Sequence, residues 1–87
     1  MKKKTGIWAV EIITTRATQG SFVSRFTQIE YYTTKKCAES FVQACIDARS
    51  LAYEDISAGS YKMIKITENG EEKRIKYLIY EIIATVC

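Results

Sequence analysis

The chain has 87 residues, 47% hydrophobic and 26% charged, with a formal net charge of +3 and a pI near 8.8. That describes one domain with a modest core, burying about 60–65% of its unfolded surface, and too basic for the strongly acidic surface of a DNA mimic. It has no His and no Pro. The usual general base near neutral pH is therefore missing, which excludes Cys–His and Ser–His catalysis and any His-containing zinc site.

The first element is "GIWAVEIITT", residues 6–15, rich in β-branched and aromatic types and read as a strand. Trp8, Val10 and Ile12 share one face, and Ile7, Ala9, Glu11 and Ile13 the other. "RATQGS" supplies a turn, with Gly20 free to take positive φ. "FVSRFTQIEYY" is the second strand, so a hairpin is expected over about 6–32. Phe22 and Phe26 have one parity, Ile29 and Tyr31 the other, which a bulge near Thr27 or a mixed-face edge strand would reconcile.

"TTKKCAESFVQACIDARSLA" predicts a helix over about 35–52. Its narrow apolar stripe is Ala38, Phe41, Val42, Cys45, Ala48 and Ala52, and Thr34 is the N-cap. A loop is expected at 53–60. In the second hairpin, about 61–86, Asn69-Gly70 between two β-rich runs favours a type I′ turn. That turn fixes the register: Glu68 faces Glu71, Ile66 faces Lys73 and Ile64 faces Ile75. Ile64, Ile66, Ile75, Tyr77 and Ile79 then form the core face under the helix. The other face carries Lys65 opposite Arg74 and Met63 opposite Lys76.

The expected fold is α+β: a two-layer ββαββ single domain with a four-stranded, mostly antiparallel sheet and one helix on one face. The first and last strands are apolar on both sides and are expected at the centre, as parallel neighbours.

The cysteines are Cys37, Cys45 and Cys87. Three cannot complete a Cys₄ zinc site, and no C-x-x-C occurs. Cys37 and Cys45 would lie about 12 Å apart along the helix axis, beyond disulfide reach. Reduced thiols acting as apolar fillers are expected, in a reducing, cytoplasmic setting. The chemical alternative is an intermolecular disulfide through Cys87. The apolar run after "MKKK" is too short for a signal peptide, and the C-terminal run is too short to span a bilayer.

Candidate functional residues fall into surfaces rather than catalytic sets. Lys65, Arg74 and Lys76 form a basic stripe to which Lys35 and Lys36 could add, read either as a solvated face or as a contact for phosphates or acidic side chains. Leu78, Tyr80 and Ile82 point away from the core face. A lone helix cannot cover them, so they form an apolar patch of a kind that soluble proteins usually avoid. Either loop 53–60 or the N-terminus folds over that patch, or it is an interface, for a homodimer stacking sheet on sheet or for another protein; a homodimer is expected. Tyr31 and Tyr32 are core, interface or exposed binding residues. No pair of carboxylates has a spacing that defines an acid–base or metal site, although Glu81 stands out by interrupting an apolar run. No catalytic residue, cofactor or metal is expected.

The arrangement of the "MKKK" start, a hairpin, the Thr-capped "TTKKCAESF" helix and a second hairpin at "TENGEE" resembles small proteins encoded by bacteriophages and mobile elements, including some anti-CRISPR inhibitors. The resemblance is architectural and carries no functional residue over. It implies a non-enzymatic inhibitor that binds a host defence complex, such as a nucleoprotein assembly, in the host cytoplasm. The alternative reading is a nucleic-acid-binding regulator using the basic stripe.

Overall fold

The computed structural model describes residues 1–49 and 52–85. Strands β1 (Lys2–Thr18) and β2 (Ser21–Tyr32) form the first hairpin, followed by helix α1 (Lys35–Asp47) and a short strand β3 (Glu54–Asp55). Strands β4 (Lys62–Glu68) and β5 (Glu71–Thr85) form the second hairpin. All five strands join one antiparallel sheet in the order β2-β1-β5-β4-β3.

Two expectations are corrected here. The sheet has five strands, not four, because part of the expected 53–60 loop pairs with the outer edge of β4 as β3. The first and last strands are neighbours, but antiparallel ones. The path of the chain explains the direction. β2 ends at Tyr32, level with Trp8, and β4 begins at Lys62, level with Tyr77 and through it with Ile12. From there β4 runs toward the turn end of the sheet, as β1 does, and β5 returns against both.

Both hairpins close through two-residue type I′ turns. Gln19 and Gly20 have φ of 53° and 80°, and Asn69 and Gly70 have φ of 52° and 78°. The second hairpin has the register that Asn69-Gly70 implies, with Ile64 opposite Ile75 and Lys65 opposite Arg74. The two turns lie side by side, with Thr18 opposite Glu71 and the Gln19 N–H donating to the Gly70 carbonyl at 3.5 Å.

Two irregularities shape the long strands. The β1–β2 register shifts between Arg16 and Ala17, which face Ser24 and Phe22, so the extra residue is Val23 rather than one near Thr27. Beyond it, Phe26 lies on the helix side of the sheet, and Ile29 and Tyr31 lie on the opposite side. The β1–β5 register shifts between Lys4, opposite Ile83, and Trp8, opposite Glu81. Thr5, Gly6 and Ile7 bulge there against Ile82 alone, with Gly6 at φ 75°.

Helix α1 packs on β1, β5 and β2. Thr34 Oγ1 accepts the Cys37 N–H at 3.1 Å, which caps its first turn. The helix stops at Asp47, earlier than expected, with Ala48 as C-cap. Its buried stripe is Ala38, Val42 and Ile46, flanked by Phe41 and Cys45; Ala48 and Ala52, expected on it, are exposed. The stripe meets Val10, Ile64, Ile66, Ile75 and Tyr77 on the sheet. Each fully buried large side chain contributes about 1.5–3 kcal/mol, and Tyr77, Ile64 and Val10 carry the most volume. The Tyr77 hydroxyl accepts from Arg49 Nη2 at 3.1 Å, so its polar end is satisfied.

The helix is about 20 Å long, whereas the molecule measures 51 × 25 × 20 Å. It therefore covers part of one sheet face only.

Candidate protein-interaction face

In an antiparallel ladder, residues directly opposite each other project to the same face. The registers therefore define the composition of the face turned away from α1. Tyr31, Ala9 and Tyr80 form one row across β2, β1 and β5. Ile29, Glu11 and Leu78 form the next, then Thr27, Ile13 and Lys76 with Met63 of β4. Arg25, Thr15, Arg74, Lys65 and Glu54 follow. Ile82 has the parity of Tyr80 and extends the apolar end. One half of the face is aromatic and aliphatic, and the other is charged.

Neither segment named as a possible cover for this face lies over it. β3 extends the sheet sideways, and Lys2 to Lys4 extend it lengthwise by pairing with Ile83 to Thr85. Among the described residues no element lies over Leu78, Tyr80 and Ile82. Tyr31 is 62% exposed, Ile29 41% and Tyr80 39%, while Ala9, in register between the two tyrosines, is completely buried. Leu78, Ile82 and Ile13 are half-buried. The expected apolar patch is thus completed by Ala9 and Ile13 and widened by Ile29 and Tyr31 from β2.

Glu11 sits inside the patch. The Tyr80 phenol is pushed up by burial first, and then by the Glu11 charge, the nearby Tyr31 and a hydrogen bond to Glu11. Glu11 and the two tyrosines give an apolar surface a small polar centre able to exchange hydrogen bonds with a partner.

The basic residues are divided. Lys65, Arg74 and Lys76 lie on the open face, whereas Lys35 and Lys36 begin α1 on the opposite one. Lys35 Nζ stands 5.7 Å from the centre of the Trp8 ring. The stripe is also partly neutralised. Lys65 Nζ lies 3.2 Å from Glu54 and 3.8 Å from Glu72, and Arg74 Nε lies 2.9 Å from Glu72. Lys76 Nζ rests 4.2 Å from the centre of the Tyr61 ring. Each of these partly exposed pairs is worth about 0–1 kcal/mol. Together they relieve the Lys65–Arg74 opposition and reduce the positive charge the face can offer. Glu54 is the partner that a loop reading of "YEDISAGS" hides.

The remaining candidates are structural. Glu81 Oε2 accepts the Gly6 N–H at 3.2 Å within the bulge, which accounts for a carboxylate in an apolar run. Glu81 and Glu11 lie on opposite faces, so they form no acid–base pair. Tyr32 is half-buried with its ring 5.3 Å from that of Phe41, whereas Tyr31 is on the open face. Cys37 and Cys45 are free thiols, and burial raises the Cys45 thiol above its ordinary value. Cys87 lies outside the described residues. An open groove of about 600 Å³ runs between α1 and residues 57–62, floored by Tyr77 and Ile79. Among the described residues, no three His, Cys, Asp or Glu side chains gather in a metal-binding arrangement, and no helix is long and apolar enough to cross a membrane.

Comparison with protein-family models, with curated proteins and with solved structures finds no match.

Proposed function

We propose that this protein acts by binding rather than by chemistry, as an interaction protein whose contact surface is the open sheet face around Leu78, Tyr80 and Ile82. One observation carries the reading: a contiguous apolar and tyrosine-rich surface, Tyr31, Ile29, Ile13, Leu78, Tyr80 and Ile82, with no element of the described chain over it. Such patches mark interaction sites, and tyrosines supply large contact area at low ordering cost. Arg25, Lys65, Arg74 and Lys76 form the charged end of the same face and suit acidic groups at the edge of a partner's footprint. The finer reading, an inhibitor of a host defence complex, is supported by the architectural resemblance of the chain alone.

The nucleic-acid reading draws less support, because Lys65 and Arg74 already have carboxylate partners. A salt series on affinity capture from a bacterial lysate separates the two. Protein contact through the apolar half should persist from 50 to 500 mM salt (on the order of these values), whereas nucleic-acid binding weakens steeply over that range. Recovery of nucleic acid alone, lost as salt rises and abolished by Lys65→Glu with Arg74→Glu, would replace this reading with the other.

A further inference from the structure

We propose that β2 is a self-pairing edge: two copies of this chain join β2 to β2, antiparallel, to make one continuous sheet. The proposal uses the backbone edge of β2, whose outward-paired residues Arg25, Thr27, Ile29 and Tyr31 border the open face, and it does not rest on that reading.

The two sides of the sheet are treated differently. The β4 edge is guarded by β3, by the Ile56 N–H bonded to the Met63 carbonyl at 2.9 Å, and by the Ala58–Tyr61 bridge. Among the described residues nothing pairs with the outer edge of β2. This strand also lacks the usual protection of exposed edges. It has no Pro and no Lys, and its bulge at Val23 lies near its start, leaving Ser24 to Tyr32 regular.

The backbone direction follows from the turn. The type I′ turn bonds Thr18 to Ser21, and hydrogen-bonded pairs then alternate along the ladder. Past the bulge, Ser24, Phe26, Gln28, Glu30 and Tyr32 bond inward to β1. Arg25, Thr27, Ile29 and Tyr31 therefore present their N–H and C=O groups outward.

A second copy fits this edge. A twofold axis perpendicular to the sheet through Gln28 overlaps the entire regular segment of both strands. Thr27 then faces Ile29 of the other copy, and Arg25 faces Tyr31, each twice by symmetry. The Arg25–Tyr31 pairs place a guanidinium beside an aromatic ring. No like charges oppose, since Arg25 and Glu30 are the strand's charged residues and neither meets its own copy. Both helices stay on one side, and the two open faces merge into a wider one.

Light scattering together with amide hydrogen exchange of the wild-type chain across a concentration series tests this. The expected result is a rise from 9.9 kDa to twice that mass, with the Arg25, Thr27, Ile29 and Tyr31 amides gaining protection as the dimer forms. Thr27→Pro, which removes an outward N–H and is compatible with an edge position, should remain monomeric. Leu78→Lys should still dimerise. A wild type monomeric at high micromolar concentration overturns the proposal. So does a dimer in which those four amides still exchange fast, or one abolished by Leu78→Lys, since either places the contact elsewhere. The wild-type exchange pattern decides the matter even if Thr27→Pro does not fold.

Discussion

The Glu81 carboxylate accepts the backbone N–H of Gly6 at 3.2 Å, across the bulge where β1 carries Thr5, Gly6 and Ile7 against Ile82 of β5. Thr5 Oγ1 completes the local bonding by donating to the Ile82 carbonyl at 2.7 Å and accepting the Ile7 N–H at 3.1 Å. The interruption of an apolar run by one acid is thus explained by a backbone donor that the ladder leaves over. Glu81→Ala should lower stability by about 1 kcal/mol, and Glu81→Gln, which keeps an acceptor, by less. Gly6→Ala should cost about 1–2 kcal/mol, because its φ of 75° strains any side chain even though the space is open. Urea midpoints for the three variants check the order.

The turn end of the sheet carries a pH-sensitive contact. Arg16 Nε and Nη2 donate to the two Glu71 oxygens at 2.8 and 2.9 Å. The bond from Arg16, aided by the charges of Arg16 and Lys73, holds the Glu71 carboxyl below its ordinary value of 4.5. A depressed folded-state pKa gives stability that is present above the unfolded value and lost as pH falls through the folded one. Stability should therefore decline from about pH 4.5 downward, and Glu71→Gln should make that acid limb shallower. Thermal unfolding midpoints between pH 7 and pH 2.5, about the range needed, test it; parallel curves for the two proteins contradict the assignment.

The core is small enough for one residue to matter. Ile64 is 1% exposed, faces Ile75 across the β4–β5 ladder and shares the core cluster with the helix stripe. Ile64→Ala should cost about 2–5 kcal/mol, against a total of about 4–13 kcal/mol for a chain of this length. Tyr77→Phe deletes only the hydroxyl that Arg49 reaches and should cost about 1 kcal/mol. Denaturant melts should rank the two in that order.

The helix start offers an independent check. Thr34→Ala removes the acceptor for the Cys37 N–H and should cost about 1 kcal/mol, whereas Thr34→Ser should be nearly neutral. Equal melting temperatures for Thr34→Ala and the wild type would mean that the cap contributes nothing.

Local chemistry was readable in the sequence wherever a short motif fixes geometry. Asn69-Gly70 set the second hairpin's register, and Thr34 marked the helix start. The apolar character of Leu78, Tyr80 and Ile82 on the side away from the helix was legible as well. What was not legible depends on long-range pairing. Glu54 and Asp55 have no strand pattern of their own, and become β3 only because the edge of β4 lies beside them. Val23 becomes the bulge because the Gln19-Gly20 turn and the β1 register leave it over. Ala48 and Ala52 leave the stripe because the helix ends at Asp47, whereas Ile46 continues Ala38 and Val42 at four-residue spacing and was legible. Ile29 joined the open face only once that bulge had set the parity of β2. A two-residue turn at Gln19-Gly20 with a bulge close to it brings Ile29 beside Glu11.

The open sheet face is tested most directly by the affinity of a captured protein partner for the wild type and for Leu78→Lys, measured side by side at matched folded fraction. Leu78 is half-buried in a surface row, so its lysine variant should fold with a melting temperature close to the wild type's. The account predicts that this variant loses partner binding by at least about tenfold, equivalent to about 1.4 kcal/mol, while Lys36→Glu on the opposite face binds as the wild type does. Unchanged affinity in a folded Leu78→Lys would contradict the assignment of this face as the binding surface.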